Sequence, residues 1–426
     1  MSQPTDLAGW LAQLESRNRD AIVLGLERVR AVADRLGLEP DFPVITVGGT
    51  NGKGSVCAYL EAMLLAAGIR VGCYTSPHLL RYNERVRIAG QEAMDEALCR
   101  AFAAVESVRS DIPLTYFEQG TLAALWLFRQ ANVEAVILEV GLGGRLDAVN
   151  IWDPECAVVT SVDLDHQAFL GDTREAIGFE KAGIFRPGRP AVCGDPVPPT
   201  SLLEHARDLG ARLLRLDRDM RIEEQGETWS LRVNEAVFPA LPRPAMVGAH
   251  QLANAACAIA ALETLRHRLP VPRQALRHGL VQARQPGRFQ VVGRQPLRIL
   301  DVAHNPHAAR ALAANLASLG ARTGEGGRII AVLAMLSDKD VGGVIEPLLP
   351  LVGSWHVAGL AGPRGLAGEV LGRELARLDA RYQVHGCPAE AWLAACREAA
   401  AADTIIAFGS FYTVAELMTE IPPTHG

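Results

Sequence analysis

The 426-residue sequence has no uninterrupted run of ~18 apolar residues, which excludes an ordinary transmembrane helix. Its opening stretch, MSQPTDLAGWLAQLESRNRD, lacks a basic region followed by an apolar one, so no secretory leader is expected there. No C-x-x-C pair occurs. The eight cysteines (Cys57, Cys73, Cys99, Cys156, Cys193, Cys257, Cys387 and Cys396) stand singly, which argues for reduced thiols in a cytoplasmic protein. Positive charge is not in excess: 42 Lys and Arg face 48 Asp and Glu, for a net charge of −6. Nucleic acid is therefore not an expected partner, because its affinity comes from basic surface. Heptads, short repeats and low-complexity tracts are also missing. What is present is an ordinary globular balance, 49% hydrophobic and 21% charged, in a chain long enough for two or three domains.

Residues 7–36 have apolar positions at helical spacing and read as two helices. A short apolar run at 43–48 enters a glycine-rich turn. The segment 55–67 is helix-like, and 69–75 reads as a second strand. Further buried strands are expected at 135–140 and 157–161, each followed by a polar or glycine-rich loop. Open parallel sheets place their ligands at such strand ends. Between 218 and 244 alternation takes over, with Trp229, Leu231 and Val233 on one face, so a small antiparallel sheet is expected. A helix is expected at 251–265. The proline- and arginine-rich stretch 284–289 reads as a linker. A second series follows, with strands at 297–302, 328–333, 355–357 and 404–408. The expected fold is α/β: an N-terminal P-loop-type parallel-sheet domain with a small antiparallel insertion (1–286), a linker (287–296), and a smaller C-terminal α/β, Rossmann-like domain (297–426).

The first strand runs into Gly48-Gly49-Thr50-Asn51-Gly52-Lys53-Gly54-Ser55. Glycines let backbone N–H groups curl around phosphate oxygens, and a following helix adds partial positive charge at its N-terminus. Lys53 supplies a full charge for β- and γ-phosphates. The spacing departs from the usual phosphate-loop pattern, because Val47 stands at the first glycine position and Gly54 separates Lys53 from Ser55. A competing nucleotide motif, Gly141-Leu-Gly-Gly-Arg-Leu146, has Leu146 where a dinucleotide fingerprint needs its third glycine. Pro154 follows too closely for a long helix.

The spelling GTNGKGS resembles the ATP-dependent Mur ligase superfamily and, within it, the folate branch. Further segments carry the resemblance along most of the chain: Tyr74-Thr-Ser-Pro-His-Leu79 with Arg81-Tyr-Asn-Glu-Arg-Val86, Leu138 to Ala148, Asp165-His166, Glu180 to Phe185, Pro286-Gly-Arg-Phe289, Asp301-Val-Ala-His-Asn-Pro306 and Phe408-Gly-Ser-Phe411. The resemblance implies a ligase that uses ATP and Mg²⁺ at two sites. It implies that Thr50, Asn51, Gly52, Lys53, Gly54 and Ser55 hold the phosphates. It assigns Ser76 and Glu139 to one magnesium and His166 to a second. Taken alone, Ser76 can equally cap a turn and Glu139 can pair with Arg145. Asn254 matches a position that reaches adenine, and Arg288 and Asp301 match nucleotide contacts, although Arg288 can also be a hinge ion pair. Asp301 and His304 lie in DVAHNP, near the expected entry of glutamate, and Ser410 is a candidate for its carboxylate. Lys181 matches a lysine carbamylated by CO₂. Its plain alternative is a surface ion pair with Glu180 or Asp172.

On the acceptor side the resemblance places Thr115, Tyr116, Phe117 and Glu118, with Leu146, Asp147 and Ala148, near the pteroate. An aromatic ring there can stack on a flat pterin, and Glu118 can accept from its amino group. Thr115 can instead cap the helix that follows. Val23 and Leu24 match a further contact that an apolar helix face explains as well. The implied reaction joins L-glutamate to dihydropteroate and to folyl-(poly)glutamates, with both activities in a monomer that meets neither nucleic acid nor membrane. The alternatives are a polyglutamate-only enzyme, a ligase of cell-wall precursors, and an ATP-hydrolysing switch.

Overall fold

The computed structural model describes residues 4–17, 23–323 and 327–421. The chain divides into two compact units. One comprises Met1–Ala245 with Gln251–Arg284, and the other Met246–His250 with Gln285–Gly426.

The first unit is built on an eight-stranded sheet. Its strands in chain order are β1 (Val44–Gly48), β2 (Val71–Tyr74), β3 (Val86–Ile88), β4 (Gln91–Glu92), β5 (Ala135–Glu139), β6 (Cys156–Val159), β7 (Pro190–Cys193) and β8 (Arg212–Arg215). Across the sheet they lie in the order β4-β3-β2-β5-β1-β6-β7-β8. All pairings from β2 to β8 are parallel, whereas β3 and β4 form an antiparallel edge. The apolar runs Val-Ile-Thr-Val and Ala-Val-Ile-Leu of β1 and β5 are buried throughout, as strands covered by helices on both faces must be. Register fixes the functional rim. Val47 lies beside Glu139, Gly48 beside Val159, and Tyr74 beside Leu138. The loops after β1, β2, β5 and β6 therefore leave the sheet at adjacent carboxyl ends. A three-stranded antiparallel sheet follows, β9 (Met220–Gln225), β10 (Thr228–Val233) and β11 (Ala236–Pro242), matching the expected insertion.

The second unit holds β12 (Gln290–Arg294), β13 (Leu297–Leu300), β14 (Ile329–Leu333), β15 (Val352–Ala358), β16 (Tyr382–His385) and β17 (Thr404–Phe408), in the order β12-β13-β17-β14-β15-β16. It is parallel except for the β12–β13 hairpin. Trp355 and Phe408 meet edge-on in its core, with ring centroids 6.2 Å apart. The linker reading of 287–296 is corrected here. Gln290–Arg294 is an edge strand, and the buried Phe289 anchors it to the core. Pro286 and the charged side chains at 288 and 294 disguised it. The grouping of Met246–His250 with this unit was not anticipated either.

All eight cysteines are free thiols. Among the described residues no helix is long and apolar enough to cross a membrane.

Candidate active site

The phosphate loop bridges β1 and the helix Lys53–Ala66. Two glycines have backbones that side chains rarely adopt, Gly49 at φ 143° and Gly52 at φ 88°. A Cβ on Gly49 would overlap the Thr160 hydroxyl, and one on Gly52 would lie 2.6 Å from Asn254 Oδ1. The loop is held by the segment after β6. Thr50 N donates to Ser161 O (2.7 Å), Asn51 N to Ser161 Oγ (3.2 Å), and Thr160 Oγ1 to Asn51 O (2.5 Å). Thr50 Oγ1 donates to Asp163 O and accepts from Asp163 N, both at 3.0 Å. Lys53 Nζ donates to its own loop, at Gly49 O (3.1 Å) and Thr50 O (3.2 Å). The expected adenine contact Asn254 sits on the helix His250–Thr264, directly against Gly52. Its Nδ2 donates to Gln251 Oε1 at 3.1 Å.

The rim beside this loop brings Ser76 and Glu139 together. Ser76 N donates to Glu139 Oε2 at 3.0 Å, and the Glu139 side chain is buried. The alternative pairing of Glu139 with Arg145 is corrected, because Arg145 Nη2 pairs with Glu180 Oε1 at 2.8 Å. His166 lies in the left-handed region at φ 53°, next to Asp165, at the start of the short helix Gln167–Leu170. Lys181 is not the surface residue of its plain reading. It is 4% exposed, and its pKa is lowered to about 7, first by burial and then by the cation of Lys53. Asp165 and Asp147 pull it back toward the charged form. Asp147 is also buried. Its carboxyl pKa is pushed up to about 7 by burial, although amides and Lys53 oppose the shift. The backbone donors are Leu142 N (2.8 Å) and Val149 N (3.1 Å), so Asp147 caps the short helix Ala148–Ile151. The chain does not continue there as the long helix of a dinucleotide fingerprint.

The acceptor-side residues form one cluster. Gly25 N donates to Leu146 O (3.4 Å), which puts Val23 and Leu24 beside the 146–148 loop. Val23 is exposed, not part of an apolar helix face. Arg28 Nη2 donates to Val23 O and to Glu118 Oε1, both at 2.9 Å. Thr115 does cap its helix, Tyr116–Gln130. Thr115 Oγ1 accepts from Glu118 N, and Glu118 Oε2 accepts from Thr115 N at 2.7 Å. The Glu118 carboxylate thus serves the cap and Arg28. Phe117 packs on Tyr74, with centroids 5.8 Å apart, and against Gly141. Tyr116 meets Tyr82 edge-on at 5.9 Å.

In the second unit Asp301 follows β13 and accepts from Phe289 N and Ala303 N, both at 2.8 Å. Loss of water raises its pKa, while the Arg288 cation pulls the other way. His304 Nδ1 donates to Val302 O at 2.8 Å, and its ring lies 6.0 Å from Phe411, whose face Arg288 also covers. Ser410 is buried and caps the helix Phe411–Glu420. Its Oγ accepts from Thr413 N at 2.9 Å and shares a hydrogen bond with Thr413 Oγ1.

Models of the Mur ligase middle domain and of the Mur ligase glutamate ligase domain match residues 47–194 and 287–411. The Escherichia coli dihydrofolate synthase/folylpolyglutamate synthase is 48% identical over 97% of this chain and 95% of its own. The chain belongs to the dihydrofolate synthase/folylpolyglutamate synthase family. It is thus an ATP-dependent glutamate ligase of folate metabolism. The Haemophilus influenzae member is 44% identical over 96% of both chains. The Escherichia coli FolC structure in complex with DHPP and ADP superposes with a TM-score of 0.93 at 47% identity, covering 99% of each chain. A Yersinia pestis bifunctional synthase with AMPPNP and Mn bound gives 0.92 at 48%, again over 99% of each. ATP and a divalent metal are thus the cofactors of this family's fold.

Within this family frame, several supporting residues escaped the sequence reading. The Thr160–Asp163 clamp on the phosphate loop carries no motif. Gln251 and the Arg28–Glu118 pair join residues far apart in sequence.

Proposed function

We propose that the chain joins L-glutamate to dihydropteroate, forming dihydrofolate, and to folyl-(poly)glutamates, each time through an acyl phosphate. A carboxylate oxygen of the acceptor attacks the γ-phosphorus of ATP, and the bond to the β–γ bridging oxygen breaks, releasing ADP. The amine of glutamate then attacks the acyl carbon, phosphate leaves, and the amine loses a proton. The observation that carries this reading is the Lys53 loop and the Ser76–Glu139 pair at adjacent strand ends, with the buried Lys181 near enough for its charge to interact with that of Lys53.

In this reading Lys53 leaves the carbonyls of Gly49 and Thr50 for the β- and γ-phosphates and stabilises charge as it develops. Asn254 meets adenine, with Arg288 and Asp301 as further nucleotide contacts. Ser76, Glu139 and His166 are the residues that would hold magnesium. The buried Glu139 carboxylate and the Ser76 hydroxyl suit a hard cation. A cation of this kind keeps waters and phosphate oxygens among its ligands. Bound there, magnesium supplies charge neutralisation at the phosphates. The segments around Val23, Tyr116, Phe117 and Leu146 flank the acceptor, and His304 lies on the glutamate side.

Lys181 is assigned as a carbamate. The amine attacks CO₂, a C–N bond forms and a proton leaves, so the neutral amine is required. A pKa of about 7 leaves about half of it neutral at pH 7. Purified protein supplied with ATP, magnesium and single or paired substrates tests the reading. ADP release should require both L-glutamate and a pteroate or folate acceptor. Release independent of both would favour an ATP-hydrolysing switch.

A further inference from the structure

Arg85 is a half-buried cation that the reading above does not use. It ends the short helix Tyr82–Arg85, which follows the loop carrying Ser76. Its Nε donates to His78 Nδ1 at 2.8 Å. Its guanidinium lies over two rings, 5.5 Å from the centroid of Tyr82 and 5.6 Å from that of Tyr116. These contacts fix the plane of the fork. Among the described residues no carboxylate forms an ion pair with it. The nearest acidic neighbour in sequence, Glu84, is committed to the amides of Leu79, Leu80 and Arg81, each at 2.7 Å. Several other partly buried arginines of this unit do have carboxylates: Arg28 has Glu118, Arg87 has Glu61 and Arg145 has Glu180. A guanidinium withdrawn from water and oriented by aromatic faces, yet lacking an anion, is built to receive one.

The position says which anion. Tyr116 opens the helix of the acceptor cluster, and His78 is two residues beyond Ser76. Arg85 thus stands between the acceptor side and the phosphate rim. The two acceptor classes differ there in charge. Dihydropteroate has one carboxylate, and it is the one that reacts. A folylglutamate has the reacting γ-carboxylate and a second, unreactive α-carboxylate a few bonds away. Pairing a fixed cation with the nucleophilic carboxylate would hold down its electron density during attack, whereas pairing it with the α-carboxylate anchors the substrate without that penalty. We propose that Arg85 binds the α-carboxylate of the terminal glutamate of folyl acceptors and so sets the enzyme's capacity to elongate, as distinct from adding the first glutamate. This rests on the acceptor assignment of the proposed function.

The test compares the two acceptors in one preparation. Wild-type protein is assayed first with dihydropteroate and then with a folyl-monoglutamate; failure with both would remove the functional reading itself, before Arg85 is in question. The Arg85→Gln and Arg85→Lys variants are then measured with each acceptor. The ratio of kcat/KM for the folylglutamate to that for dihydropteroate should fall about 30-fold in Arg85→Gln, chiefly through KM, since charge-assisted hydrogen bonds are lost. Arg85→Lys should recover part of the ratio. A binding measurement without ATP supplies an independent readout. Wild type should bind pteroylglutamate more tightly than pteroate, and Arg85→Gln should lose that difference. An unchanged ratio, whether activity falls equally on both acceptors or on neither, would overturn the assignment and leave Arg85 as a brace for the Tyr82 and Tyr116 rings.

Discussion

The ammonium of Lys53 rests on two carbonyls of its own loop, which it exchanges for phosphate oxygens when nucleotide binds. Lys53→Ala should keep the fold and cost ~10²-fold or more in kcat, read in the ligase assay. Lys181 gives a pH signature. Its pKa is about 7 in the folded protein against 10.5 ordinarily. Between those values the unfolded chain holds a proton that the folded chain lacks, so the contribution of Lys181 to stability rises with pH across that window and is flat below it. Urea unfolding of CO₂-free protein should show the rise in wild type and not in Lys181→Met. With ¹³C-labelled bicarbonate supplied, the intact folded wild type should show a carbamate carbon resonance that Lys181→Met lacks, and activity should track its intensity. The glycine spacing and Lys53 made the phosphate loop legible in sequence. The burial of Lys181 was not legible, because a lone lysine in a helix normally reaches water. Neither was the second role of Glu118, whose partner Arg28 lies far away in the chain.

The loop after β1 depends on two glycine backbones. Gly49→Ala would add a side chain at φ 143° and drive it into Thr160. We expect destabilisation by about 1–3 kcal/mol and weakened nucleotide binding, measured by unfolding and by titration. At the helix Tyr116–Gln130, Thr115→Ala removes one half of a reciprocal cap. The expected loss is about 1 kcal/mol, seen as a lower urea midpoint with an unchanged slope. Central strands were mostly legible, because burial dictates their composition; the exception is β7, buried throughout, whose four residues open on a proline. The strand β17 occupies the residues expected for it, because Ile405, Ile406 and Ala407 are buried in mid-sheet. Edge strands were not. β8 reads Arg-Leu-Leu-Arg and β16 is mostly exposed, so neither shows a core pattern. The helix at Tyr116 starts four residues before the expected Gly120, since its first turn carries aromatic side chains that local propensity does not mark as helical.

At the scale of the whole molecule, the residues assigned to phosphate, metal and acceptor all belong to the first unit, and Arg288, Asp301 and His304 to the second. This division agrees with two family models matching separate stretches, 47–194 and 287–411. The sequence showed two α/β series, but not that Met246–His250 would group with the second, a tertiary fact no local pattern records. The central claim is chemical: the acceptor carboxylate itself attacks the γ-phosphate. The most direct measurement uses dihydropteroate whose carboxylate carries heavy oxygen, with ATP and L-glutamate in ordinary water, and follows the isotope into products. The account predicts one heavy oxygen in the released phosphate for each amide bond formed. Phosphate free of the label, with its new oxygen drawn from water, would contradict it.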